Sequence, residues 1–224
     1  MIALCVPEFD PVNPRSAVEN MMIQADIALR QDVYPDYLAF IHDDVEIHEK
    51  EWQRLVEEFF EMVSKREPIG MVGFGGAYGL GTNDLYKKPY DYRQLARIHF
   101  VSNMTDAETH GMRQLNAAPV AVLDGFCQII RTEAYEAVGG WPAVLSMGIT
   151  FHMYDAAMAC LLAEQKWTTW MLPISCTHYG GRTSTSKEYD QWLRNKGIDG
   201  DQEVHSNAHK IIYDRFRNIL PLRR

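Results

Sequence analysis

The sequence predicts an α/β fold, and three observations carry that expectation. Short apolar runs rich in branched and aromatic residues, at 37–41 and 69–74, have the length and composition of buried strands. Segments with apolar residues at helical spacing alternate with them, the clearest at 51–65, where Trp52, Leu55, Val56, Phe59, Phe60 and Val63 share one face opposite Glu and Lys. The first of these runs ends in a group of carboxylates, Asp43, Asp44 and Glu46, at the carboxyl end of a core strand. In open α/β sheets that end is where ligands bind.

The elements follow in order. Residues 2–6 read as a first strand, followed by a Pro- and Asn-containing turn through Pro14. Ser16 is placed to cap a helix running to about Gln31, and the 37–41 strand completes a βαβ start. After the 51–65 helix and the 69–74 strand comes the glycine-rich stretch 75–81, read as a turn or a flexible loop beside a ligand. It is neither a dinucleotide fingerprint nor a phosphate-binding P-loop, because no Lys-Ser/Thr pair and no helical pattern follow it. Residues 82–119 are polar and weakly periodic, and read as an irregular excursion or lid carrying Tyr86, Lys87, Lys88, Tyr90, Tyr92 and Arg93. Strand character returns over 120–131, broken at Asp124-Gly125, and Thr132 is placed to cap a short helix that Gly139-Gly140 ends. A helix over 154–166, a strand over 167–172, a polar loop over 176–181 and helices near 187–196 and 202–220 complete the chain.

At 224 residues, with no internal repeat or low-complexity linker, the chain is expected to form a single domain, 1–224, with C-terminal helices at about 186–220. Hydrophobic residues at 46% and charged residues at 23% are ordinary globular values. No apolar run approaches a membrane span and no basic stretch precedes an apolar signal core, so the expectation is a chain without a transmembrane segment, placed in the cytoplasm. Cys5, Cys127, Cys160 and Cys176 are scattered among apolar neighbours, which points to buried free thiols rather than a structural zinc site. A net charge of −8 argues against a general nucleic-acid binder. The basic end formed by Lys210, Arg215, Arg217, Arg223 and Arg224 reads as a solvated helix face and tail.

Adjacent carboxylates repel unless a cation or solvent compensates them. Asp43-Asp44 therefore reads either as a site for a hard divalent ion bridging to phosphates or as a solvated turn before the next helix. Asp155, at the start of a helix, is suited to being an ionised base or simply to a favourable place in the helix dipole. Asp124 is a turn aspartate or a group for ligand hydroxyls, and Gly125 permits close backbone approach. Trp141 offers either an apolar platform for a ring or core packing.

Four features occur in sequence: Asp43-Asp44 at a strand end, the Asp124-Gly125 break, the helix start Phe151-His152-Met153-Tyr154-Asp155, and the late His178-Tyr179-Gly180-Gly181. Together with Val138-Gly139-Gly140-Trp141, they resemble family-2-like glycosyltransferases of the GT-A fold, in the subgroup with an H-x-D-V metal motif and an F-H-x-Y-D element. The resemblance spans about residues 16–185. It implies a Rossmann-related GT-A-like domain, with a mixed central sheet flanked by helices and a shortened N-terminal nucleotide-binding half.

The resemblance further implies metal-dependent transfer, with inversion, of a sugar from a nucleotide-sugar donor such as a UDP-sugar to an acceptor hydroxyl. In that reading Mn²⁺ or Mg²⁺ is held by Asp44 and His178, and Asp155 is the base. Asp43, Asp124, Gly125 and Trp141 contact the donor. The chain departs from the pattern in having only one strand and one helix before Asp44, which leaves Glu8 as the candidate nucleotide contact. The acceptor stays open among a glycan, a lipid-linked sugar, a protein and a modified nucleic-acid base. Two other readings stand beside it: a degenerate sugar- or partner-binding module, and a metal-dependent nucleotidyltransferase.

Overall fold

The structure, a computed structural model, describes residues 1–7, 14–82, 84, 87–88, 91–103, 111–180 and 186–224. The chain begins with β1 (Ile2–Cys5), α1 (Ala17–Leu29), β2 (Tyr37–Ile41), β3 (Val45–Ile47), α2 (Trp52–Ser64), β4 (Ile69–Gly73) and β5 (Gly75–Gly81). A single 3-10 turn (Tyr92–Gln94) leads into β6 (Ala96–Ser102), β7 (Met112–Arg113), β8 (Ala118–Pro119), β9 (Val122–Leu123) and β10 (Cys127–Arg131). It continues through α3 (Thr132–Ala137), α4 (Gly140–Ser146), α5 (Tyr154–Glu164), β11 (Thr168–Met171), β12 (Cys176–His178), α6 (Lys187–Lys196), α7 (Asp201–Phe216) and β13 (Leu222–Arg223).

The central sheet is six-stranded and mixed, in the order β1-β2-β10-β4-β11-β8. β1 runs parallel to β2 and β11 parallel to β4, whereas β10 is antiparallel to both its neighbours. Helices cover both faces, which is why β2 reads as an unbroken apolar run with every residue buried. The strand period still sorts its side chains. Leu38 and Phe40 join the core that includes α1, α4 and α5, while Tyr37, Ala39 and Ile41 join the core under α2. Helix α1 starts as its sequence indicates: Ser16 Oγ accepts from Glu19 N at 3.2 Å, and Glu19 Oε2 accepts from Ser16 N at 2.7 Å.

Three expectations change. The glycine-rich stretch is not a loop but β5, a strand buried along most of its length between β6 on one side and β9 and β13 on the other. Its glycines are there for want of space, since a Cβ on Gly76 would meet Val122 O at 2.4 Å and one on Gly81 the Pro221 ring at 2.6 Å. The 82–119 segment is not irregular throughout: it supplies β6 to that second sheet, while Tyr86, Tyr90 and 104–110 lie outside the described residues. Thr132 begins α3 but does not cap it; its hydroxyl donates to Pro35 O at 2.7 Å and ties the helix start to the turn before β2. All four cysteines are buried free thiols, and among the described residues no helix is long and apolar enough to cross a membrane.

Helix α7 closes the molecule against α5, where Arg215 grips Glu164 through two bonds of 2.7 and 2.8 Å. His205 and His209 lie one turn apart on this helix, their rings 4.5 Å from one another. Burial pushes the His209 imidazole down to about 4, with His205, Arg97 and His152 adding to the effect. An unfolded histidine titrates near about 6.5. The folded value is the lower one, so the stability is intact above the unfolded value and is lost as pH falls through the folded value. Thermal melts should therefore show a melting temperature that declines from about pH 6.5 toward pH 4. His209→Gln should flatten that decline, and a slope unchanged in the variant would place the acid lability elsewhere.

Candidate functional site

Three ligand-type side chains converge at the carboxyl end of the central sheet. His42 follows β2, Asp44 precedes β3, and His178 ends β12. The turn between β2 and β3 is closed by Val45 N donating to His42 O at 3.3 Å. β3 then pairs antiparallel with β12 in a register that sets His178 opposite Val45, and Tyr179 N donates to Asp44 O at 3.0 Å. A segment read from sequence as a polar loop is thus a strand, and its pairing delivers the late histidine to the early carboxylate. One ligand atom from each of His42, Asp44 and His178 lies within 4.8 Å of the others.

The electrostatics of the group fit a cation. Asp44 is 8% exposed, and its Oδ1 is buried without a hydrogen-bond partner. His178 Nε2 comes within 3.2 Å of that oxygen and His42 Nδ1 within 4.0 Å, yet neither makes a hydrogen bond to it. Two imidazole nitrogens gathered beside a buried carboxylate oxygen that lacks a hydrogen bond form a donor set that a metal ion can satisfy. Burial pushes the His42 imidazole down, with His178 adding and Asp44 opposing, so the neutral, ligating form is favoured. These three residues can hold a metal ion.

The histidines are held from behind. His42 Nε2 bonds the Tyr154 hydroxyl at 2.8 Å, leaving Nδ1 toward Asp44. Burial keeps the Tyr154 phenol well above its ordinary range and hence neutral. Gly125 makes room for it, because a Cβ there would stand 2.3 Å from the Tyr154 hydroxyl oxygen. The His178 ring stacks on Phe126 at 5.1 Å and 22°. Met153, just before α5, adopts the left-handed region at φ 60°, an unfavourable conformation for a residue with a side chain and one that sites of function retain.

Asp155 sits in the first turn of α5 and is 5% exposed. Its Oδ1 accepts from Ala156 N at 2.8 Å, and its Oδ2 accepts from Arg97 Nη1 at 2.7 Å. The same guanidinium nitrogen lies 3.6 Å from Asp124 Oδ2. Burial pushes the Asp155 carboxyl up, Arg97 pulls it back and Asp124 adds to the rise. The net shift of the carboxyl group is upward.

His42, Asp44 and His178, together with this trio, line one cavity of about 290 Å³. Asp43, Asp44, Asp124, Gly125, Asp155 and His178, all singled out by sequence, are among its lining residues. Trp141 is not. It is fully buried, edge-on to Phe40 at 5.2 Å and to Tyr154 at 5.9 Å, so it packs in the core and presents no platform to a ring. Gly125 lines the cavity and, on its Cβ side, leaves room for the Tyr154 phenol. Glu8 lies outside the described residues. Sequence reasoning missed His42 as a candidate ligand, Arg97 as the partner of Asp155, and His152, Tyr189 and His205 as lining residues. The histidine of the His42-Asp43-Asp44-Val45 motif was the available signal for the first; nothing local marks Arg97.

No family model matches the chain, and no curated protein matches it either. Solved structures do match, among them the crystal structure of A197 from STIV, at a TM-score of 0.43 and 14% identity, over 80% of this chain and 86% of that one. A likeness at this level carries no inference about activity.

Proposed function

We propose that this chain is a metal-dependent glycosyltransferase of GT-A-like fold that uses a nucleotide-sugar donor and inverts the anomeric centre. The observation that carries the reading is the buried, unpartnered Asp44 Oδ1 facing two imidazoles across a cavity that also holds Asp155 at a helix start. The donor set of two imidazoles and one carboxylate favours a borderline ion such as Mn²⁺ over Mg²⁺, which prefers oxygen ligands throughout. Held by His42, Asp44 and His178, such an ion supplies charge stabilisation to a departing diphosphate.

The protein's own groups do the rest in this reading. Asp43, exposed beside the ligands, and Asp124, bound by Arg97, face the donor's hydroxyls. Asp155 takes the acceptor's proton as its hydroxyl attacks, and Arg97 keeps the carboxylate oriented meanwhile. Tyr154 fixes His42 in its ligating pose. A nucleotidyltransferase would want a glycine-rich phosphate loop, and the glycine-rich segment at 75–81 is instead strand β5, most of it buried.

Two measurements test the reading. Calorimetry should show UDP binding that depends on Mn²⁺ in the wild type. Asp44→Ala should weaken it by more than about a hundredfold, since loss of an outer partner alone costs about 10–100-fold. Gly125→Ala, which drives the Tyr154 hydroxyl off His42, should fall in that lower range. Equal metal-dependent binding by wild type and Asp44→Ala would remove the metal assignment.

Asp155→Asn keeps size and removes basicity. Transfer should drop by about two to four orders of magnitude, the usual contribution of a general base, while Mn²⁺-dependent UDP binding stays near wild type. Arg97 loses a charged partner in this variant, so its melting temperature must be compared first. Near-normal transfer by a folded Asp155→Asn protein would make the residue a structural anchor for Arg97.

A further inference from the structure

The cavity has a second wall that the donor chemistry leaves unused. It is built from the turn before α5 and from α6 and α7, and presents Phe151, His152, Tyr189 and His205. Asp201, in the first turn of α7, organises it. His152 Nε2 and the Tyr189 hydroxyl both reach Asp201 Oδ1, at 2.5 and 2.6 Å. Burial would raise the Asp201 carboxyl, and the hydrogen bonds from Tyr189 and His152 outweigh it, leaving the group below its ordinary range and ionised.

That arrangement fixes which nitrogen of His152 faces Asp201. An ionised carboxylate accepts only, so Nε2 carries the proton of that bond and Nδ1 is the ring nitrogen left over. No described residue bonds Nδ1. His205, its ring 5.1 Å from that of His152, is itself held toward the neutral form by burial. The wall therefore offers the second ring nitrogen of an anchored imidazole, beside the His205 ring and Phe151.

The charge of the cavity narrows what fits. Its described lining carries Asp43, Asp44, Asp124 and Asp155 against a single guanidinium, Arg97, which Asp155 and Asp124 already engage. A metal ion at His42, Asp44 and His178 would be matched to the donor's diphosphate. No cation among the described lining residues is left for a second phosphate.

We propose that this wall is the acceptor site, that it takes a neutral sugar, and that His152 Nδ1 hydrogen-bonds one of that sugar's hydroxyls. Asp201 and Tyr189 are positioning residues that hold the imidazole. The proposal rests on the transfer reading above and deepens it by naming the acceptor class.

The test uses the full chain, metal-free, with methyl glycosides as probes and a sugar phosphate as the charged control. Nitrogen-15 spectra of the histidine rings should show His152 protonated at Nε2, with its Nδ1 signal moving as a methyl glycoside is added. Asp201→Asn, whose amide can donate to Nε2, should move the proton to Nδ1 and abolish that response. His152→Phe should weaken glycoside binding about three- to tenfold, the worth of one hydrogen bond, and His152→Asn, which keeps an acceptor near Nδ1, should recover part of it. Glycoside binding that is equal in wild type and His152→Phe, or tighter binding of the sugar phosphate, overturns the acceptor assignment. Mn²⁺-dependent UDP binding on the same samples separates the two failures. Its persistence leaves the transfer reading standing, and its absence removes both.

Discussion

One buried oxygen, Asp44 Oδ1, sets the terms for the whole sheet end. A carboxylate oxygen sealed from water without a donor is costly to fold around. The turn from β2 to β3 and the ladder between β3 and β12 nevertheless hold it in place. Neither histidine relieves it by a hydrogen bond, although both stand close. A metal ion held by His42, Asp44 and His178 would relieve that oxygen, and the fold brings the three ligand atoms within 4.8 Å of one another without it.

Charge balance across the cavity follows the same logic. Arg97 arrives from β6, far in sequence from α5, and a single nitrogen of its guanidinium serves both Asp155 and Asp124. Without it two carboxylates would repel across a partly dry space, and only backbone hydrogen bonds such as that from Ala156 N would oppose the upward push of burial on Asp155. The guanidinium itself is held firmly charged, chiefly by Asp155. The second sheet, which carries Arg97, is therefore an electrostatic part of the site as well as a structural one.

Much of the fold was legible in sequence because local signals and tertiary demands agree there. Ser16 and Glu19 form the capping box that starts α1, the 37–41 run is a strand buried on both faces, and the 51–65 periodicity marks the face of α2 that packs. The misreadings share a cause. Glycines at 75–81 suggest a loop when neighbours are unknown, yet Val122 and Pro221 leave no room for side chains there. Residues 176–178 look like a polar loop until β3 is available to pair with them. In the site, carboxylates at strand and helix ends announce themselves locally, and so Asp44, Asp124 and Asp155 could be singled out. Arg97 and the Asp201–His152 pair depend on contacts across 58 and 49 residues, and no local pattern encodes those.

The left-handed turn at Met153 has a further consequence. It launches α5 with Tyr154 and Asp155 as adjacent residues, one holding His42 and the other bound to Arg97. Both groups ride on the same rigid first turn, with the fully buried Trp141 ring as its backstop. A tilt of that turn would move the tyrosine and the aspartate together, while their partners, His42 after β2 and Arg97 on β6, stay with the sheets. The packing of Trp141 against Tyr154 thus bears on the histidine and on the carboxylate at once.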